Sequence, residues 1–152
     1  MSITIEIAAE VTPELLTALR SLTRQLNFHL AESEQSELSE AQVARVVASP
    51  NSSLLVARAE DGRIVGTTTV AVFDTPTGRR AWIEDVVVDE SARGQGVGEA
   101  LTREAVRRAD EAGADHVDLT SAPYREAANR LYPRVGFERR STNVYRLHLR
   151  TH

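Results

Sequence analysis

The spacing of apolar residues changes along this chain, and each change marks an element. Ile3, Ile5 and Ile7 alternate with Thr4 and Glu6, the two-residue period of a strand. At Thr12-Pro13-Glu14 the pattern becomes a helix start: an N-cap residue, a proline in the first turn and an acid at the positive end of the dipole. Leu15, Leu19, Leu22 and Leu26 then fall on one helical stripe. From Asn27 to Leu38 the period disappears and the chain turns polar and acidic around Phe28, His29 and Leu30, which reads as a loop or lid. Ser39 and Gln42 stand at capping-box spacing and open a second helix, which Ser49-Pro50-Asn51 ends.

Beyond that point short apolar runs alternate with turn residues. Residues 54–59, 64–73 and 81–88 read as three strands of a meander, joined by Glu60-Asp61-Gly62-Arg63 and by a turn built on Thr75-Pro76-Thr77-Gly78. A helix is predicted from about Gly98 to Ala112, with Leu101, Ala105, Val106 and Ala109 on its apolar side and Gly113 as its stop. Residues 116–120 form a strand. Residues 123–135 form a helix carrying Ala127, Ala128, Leu131 and Tyr132, closed by Gly136. Residues 137–140 and 144–149 alternate as two closing strands. The order β-α-α-β-β-β-α-β-α-β-β predicts a single α/β domain over residues 1–152, with a mixed sheet and helices on both faces.

Composition removes several function classes. No apolar run approaches the ~20 residues of a membrane span, and Met1 to Glu6 has neither the basic nor the apolar region of a signal peptide, so a cytoplasmic protein is expected. The net charge of −4 argues against a general nucleic-acid binder. All 18 basic residues are arginine. The absence of cysteine excludes disulfides, thiolate metal sites and a covalent acyl-cysteine route; direct transfer between two bound substrates remains open.

The most informative segment is Val86-Val87-Val88, followed by Arg93-Gly94-Gln95-Gly96-Val97-Gly98-Glu99. Strand, glycine-rich turn and helix N-terminus together form the general design for holding a phosphate on backbone N–H groups. The pattern is neither the dinucleotide fingerprint nor a P-loop. Taken alone, it is equally a βα connection without a ligand. Arg93 opens the turn and can add a forked charge to a diphosphate.

With those residues in view, the chain resembles the GNAT superfamily of acyl-CoA-dependent N-acyltransferases over nearly its whole length. Ile83 to Val88 leading into Arg93–Gly98 looks like the family's acyl-CoA signature. Asn129-Arg130-Leu131-Tyr132 with Val135-Gly136-Phe137-Glu138 looks like its second. The resemblance implies a mostly antiparallel sheet splayed at the acyl-CoA site. It also implies that the backbone of Val86 and Val88 pairs with pantetheine and that the turn amides hold the diphosphate. Acetyl-CoA is then the co-substrate, with no metal. Tyr132 matches the tyrosine that acts as general acid toward the departing thiolate; read without the motif, it is a core aromatic. Asn129 is either a coenzyme contact or a backbone cap. Pro133 departs from the family pattern and puts the tilt of Tyr132 in question.

Glu84 and Asp85 are the candidate bases, acting directly or through a water. As neighbours on a strand they are expected on opposite faces, with Glu84 in register with Val86 and Val88. Their alternative is an ion pair with Arg79 or Arg80. The acceptor pocket is expected from Phe28, His29, Glu84, Ser121, Tyr124 and Asn143, while Glu32, Glu34 and Glu37 make the lid acidic, favouring a cationic acceptor or simply solubilising the loop. The expected reaction is acetyl transfer to a primary amine of a small molecule: an amino sugar, aminoglycoside, polyamine or amino acid. A protein or peptide acetyltransferase and a non-catalytic acyl-CoA sensor are the alternatives. Many relatives pair through their C-terminal strands, so a homodimer is expected by analogy.

Overall fold

The computed structural model describes residues 2–150. Strand β1 (Thr4–Ile7) is followed by helices α1 (Pro13–Leu26) and α2 (Glu40–Ala48). Strands β2 (Ser52–Arg58), β3 (Ile64–Thr75) and β4 (Gly78–Val88) come next, then α3 (Val97–Glu111), β5 (His116–Asp118) and α4 (Glu126–Val135). The sheet order is β1-β2-β3-β4-β5. The first four strands are antiparallel neighbours and β5 is parallel to β4, as a crossover through a helix requires.

The alternation in β2 puts a core on each face of the sheet. Leu55 and Ala57 face α3, where they meet Val97, Leu101, Ala105 and Ala109. Leu54 and Val56 face the other way, onto Leu15 and Leu19 of α1 and Val43 of α2. The expected caps are present: Thr12 Oγ1 accepts from the Leu15 amide, and Ser39 and Gln42 form their reciprocal box. Between α1 and α2 the chain is a loop with one 3-10 turn, Glu32–Glu34. Gln35 staples that loop, its amide nitrogen donating to Asn27 O at 3.2 Å and to Leu30 O at 3.1 Å.

The pairing of β3 with β4 is interrupted. Thr67 opposes Val87 and Thr69 opposes Glu84, so β4 carries one residue more than β3 across this interval. The extra residue is absorbed at Asp85, whose φ of +56° is the only positive non-glycine value among the described residues. Aspartate is one of the few side chains that enter the left-handed region readily. Thr68, fully buried, donates from Oγ1 to the Glu84 carbonyl at 2.9 Å, a side-chain bond that pins the two strands where their register slips. This corrects the expected register: Ile83, Val86 and Val88 all pack on the α3 core, which takes Glu84 out of phase with Val86 and Val88.

Two further expectations fail. The last helix begins at Glu126, leaving Pro123, Tyr124 and Arg125 in the turn before it. Residues 137–140 and 144–149 form no strands. Residues 138–150 are exposed throughout, and Tyr145, Leu147 and Leu149 retain 87%, 83% and 78% of their accessible surface. Alternation marks a segment able to be a strand; only a neighbouring edge makes it one.

Replacing Thr68 with valine keeps the shape but removes the donor to Glu84 O. We expect Thr68→Val to lower stability by about 0.5–1.5 kcal/mol, the usual net worth of one hydrogen bond, measured by urea denaturation. A substitution that costs nothing would show the bulge to be self-supporting.

Candidate active site

The pairing of β4 with β5 covers only Arg80, Ala81 and Trp82. From Ile83 to Val88 no strand lies along that edge of β4 among the described residues, so its backbone is open to an extended ligand. The strand runs directly into the glycine turn. Gly94 and Gly96 have φ of +77° and +82°, and a Cβ on either would meet nothing within 4 Å. These glycines are therefore required by conformation, and the space beside them is empty. Gly96 is the N-cap of α3 and offers no side-chain cap. The first intrahelical bond runs from the Ala100 amide to Gly96 O, which leaves the amides of Val97, Gly98 and Glu99 without a helical acceptor. An uncapped N-terminus on a helix of 15 residues, facing open space, fits an anionic group such as a diphosphate.

A residue with no place in the sequence motif sets the position of this cradle. At Gly66, a Cβ would lie 3.0 Å from both Leu101 Cδ1 and Val97 Cγ1, so only glycine lets α3 sit this close to the sheet. Its signal in sequence was an isolated glycine in a strand pattern. Gln25 ties α1 to the same turn, donating to Asp89 Oδ1 at 2.8 Å and accepting from the Glu90 amide at 3.0 Å. Arg93 folds back, with Nε donating to Val88 O at 3.1 Å. Gln95 donates to Ser91 O at 3.4 Å, and the Glu99 carboxylate pairs with Arg103 and Arg134.

Tyr132 is buried and packs edge-on against Phe137, with ring centroids 5.9 Å apart. The helix runs through Pro133 to Val135, and the Tyr132 carbonyl accepts from the amides of both Gly136 and Phe137, so the proline does not break the turn that holds the phenol. Burial raises the Tyr132 pKa, against a smaller opposing effect of Arg125. Asp85 and Glu84 open to solvent, yet loss of hydration raises both carboxyls. Arg125 opposes the shift at Asp85. The neighbouring Asp85 adds to it at Glu84, and Arg146 opposes it there. Neither carboxylate pairs with Arg79 or Arg80: Arg79 holds Asp74 at 2.7 Å, and an Arg80 nitrogen donates to Thr77 Oγ1 at 2.9 Å.

The loop after α1 and the turn before α4 meet. Phe28, His29 and Tyr124 form a cluster with ring centroids 5.9 to 6.4 Å apart, and Phe28 and Tyr124 are exposed. Ser121 Oγ in the same turn is buried without a hydrogen-bond partner. Asn129 donates to Ala122 O at 2.9 Å and so braces that turn. Asn143 lies on the exposed tail, its amide 3.4 Å from the Tyr145 hydroxyl, and no hydrogen bond ties it to the aromatic cluster. Sequence reasoning missed Arg125, whose guanidinium lies 5.8 Å from the centre of the Tyr124 ring. A separate pocket of about 150 Å³ lies between Arg20 and Glu37, and none of these residues lines it.

The chain as a whole is similar to known proteins. The sequence profile of the Acetyltransferase (GNAT) family matches residues 16–137. The chain belongs to that family. It is 35% identical over 91 residues to a mycothiol acetyltransferase of Propionibacterium freudenreichii, a match covering 60% of this chain and 29% of that protein. Among solved structures it resembles one described as a transcriptional regulator from Bacillus halodurans, with 29% identity, a TM-score of 0.81 and coverage of 97% and 100% of the two chains. It also resembles an acetyltransferase from Trypanosoma brucei, with 27% identity, a TM-score of 0.74 and coverage of 97% and 100%. The family uses acetyl-CoA, and this GNAT domain places its glycine cradle at the end of the open β4 edge.

At Asp85 the backbone and the charge make opposite demands. Asparagine tolerates the left-handed conformation and carries no charge, so Asp85→Asn is expected to raise stability at neutral pH. The folded-state pKa of Asp85 is raised, so the ionised group is penalised above it and the advantage of asparagine shrinks as pH falls through it. Asp85→Val is expected to lose about 1–3 kcal/mol from backbone strain. Chemical denaturation at pH 7 and pH 5 checks both.

Proposed function

We propose that this chain transfers the acetyl group of acetyl-CoA directly to a primary amine of a small molecule: an amino sugar, aminoglycoside, polyamine or amino acid. The observation that carries the reading is an unpaired strand edge leading into an uncapped helix N-terminus, with two open carboxylates on that strand and a buried phenol, Tyr132, that shares the field of Arg125 with Asp85. In this reading the backbone of Val86, Val87 and Val88 aligns the pantetheine arm. Arg93, Gly94, Gln95, Gly96, Val97, Gly98 and Glu99 supply the diphosphate cradle, and Asn129 braces the adjoining turn. Backbone N–H groups of β4 polarise the thioester carbonyl.

Glu84 or Asp85 takes the proton from the acceptor ammonium. The freed amine attacks the carbonyl carbon, the C–N bond forms and the C–S bond breaks, and the Tyr132 phenol gives its proton to the leaving thiolate. A phenol whose pKa is held up by burial is protonated across the neutral range, as this role requires. The loop 27–38, stapled by Gln35, narrows the acceptor side and disfavours an extended peptide.

Thiol release from acetyl-CoA across an amine panel tests this. We expect turnover with at least one small amine and a loss of roughly 10²–10⁴-fold in kcat for Tyr132→Phe, the usual worth of a positioned acid. Coenzyme binding without turnover on any amine would favour a sensor. Because burial raises both carboxyls, the rate is expected to fall as pH drops through a value above the ordinary carboxylate range. Glu84→Gln or Asp85→Asn, whichever removes the base, is expected to abolish that limb.

We also infer a homodimer in which residues 138–150 of one copy lie along the β5 edge of the other. The support is an extended, alternately apolar and exposed segment together with a β5 edge that ends the sheet. Light scattering should give the mass of two chains for the unaltered sequence and of one for Leu147→Asp; a monomeric unaltered chain would overturn it.

A further inference from the structure

The acceptor side of the site holds a cation that the transfer chemistry does not use. Arg125 stands in the turn ahead of α4, its backbone amide bonded to Ala122 O at 3.0 Å. Its guanidinium lies over the Tyr124 ring at 5.8 Å and reaches Leu26 O with one nitrogen at a long 3.4 Å. Among the described residues it makes no ion pair, as is true also of Arg24, Arg45, Arg80, Arg93 and Arg130, whereas Arg20, Arg58, Arg63, Arg79, Arg103, Arg107 and Arg134 each hold a carboxylate. Its charge reaches two groups of the reacting centre, the Asp85 carboxyl and the Tyr132 hydroxyl. Ser121 Oγ, four residues earlier in the same turn, is buried without a partner. A guanidinium is a planar fork that matches a carboxylate at two points. Here it is half-buried, stacked on an aromatic ring and left with its fork unfilled.

We propose that Arg125 binds the carboxylate of the acceptor, so that the substrate class of this site is an α-amino acid or a compound ending in one. The inference rests on the acetyl-transfer reading above. The ammonium of such an acceptor goes toward Asp85 and its carboxylate toward Arg125. Its side chain has the exposed rings of Phe28, His29 and Tyr124 to lie against, which favours an apolar or aromatic one. A polyamine fits this arrangement poorly, because its second cation would meet the guanidinium.

The test uses acceptor pairs that differ only in the carboxylate, such as phenylalanine against phenethylamine and leucine against isopentylamine. Each is assayed by thiol release from acetyl-CoA with the wild-type chain, Arg125→Lys and Arg125→Gln. We expect the wild type to favour the amino acid by about 10- to 100-fold in kcat/KM, the range of a charge-assisted bidentate contact. In Arg125→Gln that ratio should collapse toward one, mainly through KM, and Arg125→Lys should recover part of it. A purely structural role would lower both acceptors alike and leave the ratio unmoved, which overturns the proposal. Efficient Tyr132-dependent turnover of the amines without preference for the acids also overturns it and leaves the acetyl-transfer reading standing. No turnover of either kind overturns this proposal; the acetyl-transfer reading stands if an amino sugar, aminoglycoside or polyamine is acetylated and falls with it if no amine is.

Discussion

One extra residue in β4 governs this molecule. Where Asp85 takes a left-handed conformation, the ladder to β3 slips, Thr68 turns inward to hold the Glu84 carbonyl, and the pleat changes phase. Ahead of the slip, at Arg80 to Trp82, β4 has neighbours on both sides. After it, β4 has β3 on one side and open backbone on the other. A strand with an unpaired edge invites aggregation or a ligand, and the glycine turn at its end suits the ligand of the proposed function. The bulge also brings two acids into a place where a regular strand would have buried one of them. The packing phase and the electrostatics of this stretch thus follow from a single backbone irregularity.

The cradle is positioned mostly by apolar contact. Val97 and Leu101 press α3 onto the sheet over Gly66, and Leu131 of α4 comes within van der Waals reach of the position a Gly98 Cβ would take. Both helices therefore reach the site as parts of one packed layer. A helix dipole is useful to an anion only if its end is held in place, and fully buried Leu101 and Val97 hold this one. The polar side is lighter: Gln25 bridges α1 to the residues before the turn, and Arg93 returns to cap the last carbonyl of β4.

Much of this was legible in the sequence, because the signals concerned were local. The helix starts at Thr12 and Ser39, the stop at Gly136 and the glycine turn all lie within a few residues of what they specify. The bulge was not legible, since it depends on how many residues of β3 face β4, a count that no single strand contains. The C-terminal segment was misread for a related reason: its alternation is real, but the edge it needs is not offered within the chain. Arg125 escaped notice because a single arginine in a turn carries no pattern. Its meaning comes from Tyr124, Leu26 and Asp85, and Leu26 lies 99 residues away in the chain.

The ion pairs of this chain have a chemical side beyond their small contribution to stability. Among the described residues every one is made by arginine or histidine, because the chain contains no lysine. A guanidinium remains protonated at any physiological pH and is a poor nucleophile, whereas a lysine amine near an activated thioester is a target. A domain of an acetyl-CoA-using family whose surface offers that thioester no side-chain amine is protected from acylating itself.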